Sequence, residues 1–84
     1  MNRCIISGKI ISKIEYKFII KNKNNSVAKF YIELDNKNIV KIISYNEIAD
    51  KVLRKLKEGD GILIEGYLIE NGEIVLLQFE RMQQ

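Results

Sequence analysis

One segment constrains the fold of this 84-residue chain more than any other: Gly59-Asp60-Gly61-Ile62-Leu63-Ile64-Glu65-Gly66-Tyr67-Leu68, a glycine-bracketed strand directly after the only stretch with helical periodicity. In that stretch Ile48, Ala49, Val52, Leu53 and Leu56 recur on one face, and Glu47, Asp50, Lys51, Arg54, Lys55 and Lys57 occupy the other, which predicts an amphipathic helix. Ser44 and Glu47 have capping-box spacing, Asn46 is an alternative cap, and Glu58-Gly59 marks the end. The rest of the chain reads as strands and turns. A single helix between a third and a fourth strand is the connectivity of a small barrel, with the helix plugging an open end.

The strands follow from period-2 alternation. Residues 3–20 read as one long strand, or two separated by a bend, with Gly8 where a barrel strand turns a corner. The run Lys21-Asn22-Lys23-Asn24-Asn25-Ser26 is a basic loop rich in turn formers. In the second strand, 27–34, Ala28, Phe30, Ile32 and Leu34 form the core face, and Val27, Lys29, Tyr31 and Glu33 face outward. The third, 39–45, sets Val40, Ile42 and Ser44 against Ile39, Lys41, Ile43 and Tyr45, and either side is apolar enough to face the core. Residues 62–69 and 74–80 form the last two strands, joined through an Asn71-Gly72 turn typical of a tight hairpin. Three strands, a helix and two strands within one domain, 1–84, match an all-β class: the five-stranded OB-fold Greek-key barrel, whose ligand face lies on strands two and three.

Composition narrows the function. Histidine is absent and Cys4 is the single cysteine, which removes the commonest general base, internal disulfides and thiolate metal clusters. Enzymatic chemistry is therefore disfavoured, and no cofactor or metal is implied. No run approaches the ~18 apolar residues of a membrane span, and no basic segment with a cleavable apolar stretch opens the chain, so the expected location is cytoplasmic with no membrane partner.

The net charge of +3 hides a split. Residues 1–45 carry Arg3 and eight lysines against Glu15, Glu33 and Asp35, whereas residues 46–84 carry five cations against eight acids. Lysines on strand edges also deter aggregation, but here the basic half coincides with the ligand face of the fold. That face would present Lys29, Tyr31, Lys41 and Tyr45, flanked by Ile39 and Ile43, with Lys21 and Lys23 beside it; Tyr16 and Phe18 of the first strand are further candidates. Lysines attract phosphates and release counterions, and aromatic rings stack on unpaired bases. This combination suits a single strand, since a duplex hides the base faces that Tyr31 and Tyr45 would need.

The chain also resembles the bacterial single-stranded DNA-binding proteins. The resemblance rests on Asn2-Arg3-Cys4-Ile5-Ile6-Ser7-Gly8-Lys9-Ile10, on Ser26-Val27-Ala28-Lys29-Phe30, on Ile42-Ile43-Ser44-Tyr45 and, most specifically, on the run from Leu56 to Leu68, so it covers nearly the whole length. It implies that Tyr45, just before the helix, stacks on DNA. Ile39 stands where the family commonly has a tryptophan, and the Glu70-Asn71-Gly72-Glu73 connection is short and acidic where the family has a long DNA-binding hairpin. No acidic tail like the one with which the family recruits replication and repair proteins follows Gln84, a pattern shared with the dimeric primosomal replication protein N. The resemblance implies binding of single-stranded DNA without strong sequence preference, in replication, recombination or repair, by a homodimer or homotetramer joined through first-strand edges. Two other readings stand beside it: a protein-interaction module contacting replication proteins through the same face, and an RNA binder.

Overall fold

The strands form where β-branched and aromatic residues alternate with polar ones, and the helix where that period changes. The computed structural model describes residues 2–20 and 24–82, without the side chain of Asn24. Of the two readings of residues 3–20, two strands separated by a bend is the one found, β1 (Asn2–Ile10) and β2 (Glu15–Ile20). The expected second and third strands are therefore β3 (Asn24–Glu33) and β4 (Ile39–Tyr45), followed by α1 (Asn46–Lys55), β5 (Gly61–Leu68) and β6 (Ile74–Met82). At the break between β1 and β2, Ile11 N–H donates to the Tyr31 carbonyl at 2.9 Å, and Tyr31 N–H donates to Ser12 Oγ at 2.9 Å. Ser12 thus replaces one rung of the ladder at the bend.

The sheet runs β1-β5-β6-β4-β3-β2, and β1 returns to β3 at Lys9 and Ile10, which closes five strands into a barrel and leaves β2 as an arm paired with β3. The β4–β6 pair is parallel and the other pairs are antiparallel. Closure explains Gly8. A Cβ there would lie 2.6 Å from the Glu33 carbonyl oxygen, so the strands meet only because that position has no side chain. Between β5 and β6, Asn71 (φ 73) and Gly72 (φ 76) take the left-handed conformations that the Asn-Gly pair predicts. The segment that follows the helix is stitched to the end of β1, with Ile10 N–H donating to the Asp60 carbonyl at 2.9 Å and Gly59 N–H to the Ile10 carbonyl at 2.8 Å.

Ile10, Ala28, Phe30, Ile32, Ile42, Ile62, Ile64, Ile74 and Leu76 fill the barrel, and Ala49 and Val52 of α1, with Leu56 just after it, close its end. Each large side chain so buried stabilises the fold by about 1.5–3 kcal/mol relative to an exposed one. On β4 the core face consists of Val40, Ile42 and Ser44, because they lie opposite Ile32, Phe30 and Ala28. The buried Ser44 hydroxyl donates to the Ala28 carbonyl at 2.9 Å, so Ser44 is not a helix cap. The cap position is Tyr45, with no side-chain capping bond, and Asn46 is the first helical residue. Leu53, expected on the buried helix face, is exposed. No helix among the described residues is long and apolar enough to cross a membrane.

Candidate nucleic-acid interface

Cross-strand register decides which side chains share a face. Val27 lies between Lys17 and Tyr45, Lys29 between Glu15 and Ile43, and Tyr31 opposite Lys41, with Ile39 opposite Glu33 at the end of the row. All of these point away from the barrel interior, since the alternate positions Ala28, Phe30, Ile32 and Ile42 are core. Tyr45 is 47% exposed and Tyr31 38%, and Ile39 is 58% exposed. The arm adds residues that the sequence reading did not include: Lys17 and Ile19 line a groove of about 510 Å³ with Glu15, Tyr16, Val27 and Lys29. The signal was the shared parity of Glu15, Lys17 and Ile19, which becomes informative only once β2 is in register with β3.

Other expected site residues lie elsewhere. Ile43 is only 6% exposed although it faces outward. It is flanked by Lys29 of β3 and by Val75 of β6, itself buried, so its side chain is packed among neighbours and is not offered to a ligand. Tyr16 and Phe18 are opposite Ala28 and Ser26, which puts them on the helix side of the arm, away from Tyr31 and Tyr45. Phe18 is exposed there, whereas the Tyr16 hydroxyl is engaged. Lys41 reaches the face but is half-buried and ion-paired with Glu73 at 3.7 Å. The short acidic connection between β5 and β6 thus supplies a counter-charge on the face itself. Lys21 and Lys23 lie outside the described residues.

A polar buckle holds the arm against the helix. Tyr16 Oη donates to Asp50 Oδ1 at 2.6 Å, and Ser26 Oγ donates to the same oxygen at 2.8 Å, with the Asn46 carbonyl 3.1 Å away as an alternative acceptor. Ser26 N–H donates to Asn46 Oδ1 at 3.3 Å. Asn46 adopts φ 55, a left-handed value that asparagine tolerates better than most residues. Together Tyr16 and Ser26 hold the Asp50 carboxyl below its usual range, while the bond to that carboxylate raises the Tyr16 phenol. On the far side of the barrel Arg3 pairs with Glu65 at 3.2 Å, and Gln78 also bonds Glu65.

A closed five-strand barrel with its helix between β4 and β5 defines the class: an OB fold. No family model matches the chain, and no curated protein does. Solved structures do match. The SSB domain of a Synechococcus sp. protein superposes with a TM-score of 0.84 at 18% identity, over 95% of this chain and 94% of that one. The single-stranded DNA-binding protein of Thermus aquaticus superposes at 0.80 and 18% identity over the whole chain, which spans only 41% of that protein. The second OB-fold domain of replication protein A from Methanococcus maripaludis gives 0.75 at 18% identity, covering 95% of this chain and 83% of that one. At these identities the likeness is one of fold.

Proposed function

We propose that this chain is a non-enzymatic binder of single-stranded DNA, acting in replication, recombination or repair, and that the strand lies across the outward face of β2, β3 and β4. The observation that carries the reading is the row Lys17-Val27-Tyr45 beside Lys29, Tyr31 and Lys41: exposed aromatic rings interleaved with lysines on one continuous surface. Tyr45, at the strand-to-helix junction, and Tyr31 are the stacking platforms. Each base–aromatic stack contributes about 1–3 kcal/mol and tolerates any base, so little sequence preference is expected. Lys17 and Lys29 neutralise phosphates, and Lys41 does so after giving up Glu73. The similarity to SSB and replication protein A domains supports this ligand class.

The decisive experiment is an oligo-dT titration followed by tyrosine fluorescence at two salt concentrations. Quenching that weakens as salt rises supports the reading, and a folded protein that binds nothing at low salt sinks it. A parallel titration with oligo-U separates DNA from RNA, which differ at the 2′-hydroxyl. Self-association belongs to the same proposal. β1 pairs with β5 over residues 2–9 and with β3 only at Lys9 and Ile10, so its second edge over residues 2–8 has no partner strand among the described residues.

A further inference from the structure

Residues 46–84 are acidic in sum, yet their five cations are gathered on one flank. Lys51, Arg54 and Lys55 of α1 and Arg81 of β6 line a cleft of about 600 Å³, together with Phe79 and Glu80. Lys57 lines the adjoining cleft, which shares Arg81 and also holds Glu58 and Asp60. All four cations of the first cleft are exposed, and none is in a salt bridge among the described residues. Several acids of the same half are occupied elsewhere: Asp50 in the buckle, Glu65 by Arg3 and Gln78, and Glu73 by Lys41. Cations in the last turn of a helix answer its dipole, which accounts for Arg54 and Lys55. It does not account for Lys51, one turn earlier, or for Arg81, which is on a strand.

We infer that this flank is a second contact surface for single-stranded nucleic acid, one that engages the phosphates of a strand already bound on the tyrosine face; the inference rests on the reading proposed above. Two features favour nucleic acid over an acidic protein. The cleft offers one half-buried ring, Phe79, as its sole apolar lining, whereas protein partners bind chiefly through buried apolar or aromatic anchors and phosphates need only charge. The two surfaces also share a strand. Val75 lies opposite Ile43 on the outward side of β6, while Phe79 and Arg81, opposite Ile64 and Ile62 beyond the irregularity at Glu65/Gly66, line the cleft from the other side of the strand, about 13–20 Å further along. A ligand long enough to leave the tyrosine face and turn round the end of β6 meets both.

The test compares oligo-dT of about 10 nucleotides, within the site of one OB fold, with one of about 30. The variant carries Lys51→Ala, Lys55→Ala and Arg81→Ala, three exposed positions, with a thermal melt to confirm that it is folded. The expected result is a loss of at least about tenfold in affinity for the long oligomer, a salt slope lower by about 2, and less than about a twofold change for the short one. Unchanged binding of both lengths, or an equal loss for both, would overturn the second surface while leaving the tyrosine face intact. Capture of a polyglutamate peptide that the variant abolishes, with the long oligomer unaffected, would reassign the flank to an acidic protein. Failure of the folded wild type to bind either oligomer would overturn both surfaces.

Discussion

Tyr45, Ile43 and Lys41 alternate with one another on one side of one strand, and their neighbours give them three different roles. Tyr45 stands free at the end of β4, so Tyr45→Ala should cost about 1–3 kcal/mol in oligo-dT affinity, read by titration, with little change in melting temperature. Ile43 is packed among Lys29 and Val75, so Ile43→Ala should instead lower stability by about 2–5 kcal/mol in denaturant unfolding and leave affinity of the folded protein near wild type. A large loss of affinity without loss of stability would return Ile43 to the site. Lys41 is held by Glu73, so Glu73→Gln should free it: affinity rises severalfold and the salt slope steepens by about 0.7. Unchanged binding by Glu73→Gln would mean that Lys41 does not contact the ligand.

The arm formed by β2 and the start of β3 depends on the buckle to the helix, because β3 is the only strand that β2 pairs with. The Asp50 carboxyl titrates lower in the folded chain than in the unfolded one, so its contribution is complete above about pH 4 and is lost as pH falls through the lower folded value. The Tyr16 phenol is raised, so its contribution is complete below about pH 10 and is lost as pH rises through the higher folded value. Melting between pH 7 and pH 3 should therefore fall less steeply for Asp50→Asn than for wild type. Parallel slopes would show that the carboxylate contributes nothing to the fold. Tyr16→Phe should speed amide exchange in β2 more than in the barrel strands, which hydrogen exchange reads directly. The helix was legible from its periodicity, and so were the strands from alternation; one strand or two over residues 3–20 stayed open, and the choice rests on Ser12 meeting Tyr31, 19 residues away.

The barrel assembled from these pieces leaves the second edge of β1, over residues 2–8, without a partner strand among the described residues, with Ile5 68% exposed on that strand. If copies join there, sedimentation should show a dimer or larger species, and Ile5→Glu should shift it toward monomer without unfolding it. A wild-type monomer at high concentration would remove self-association from the proposal. The order of strands, the place of the helix, the Asn71-Gly72 turn and the candidate face were all readable from the chain alone, because alternation, helical period and turn chemistry act over a few residues. Tyr31 and Lys29 were therefore recognisable as outward-facing, whereas either side of the next strand could face the core, and only its register on β3 puts Lys41 and Tyr45 outside. What the linear chain left open was whom each side chain meets. Ile43 is covered by a parallel strand more than 30 residues later, Lys41 is neutralised from the same distance, and Lys17 joins the face only through the register of β2 on β3. Most of all, summing charge along residues 46–84 concealed a basic flank, because charges act through space, and only the packing of α1 beside the end of β6 brings Lys51, Lys55 and Arg81 together.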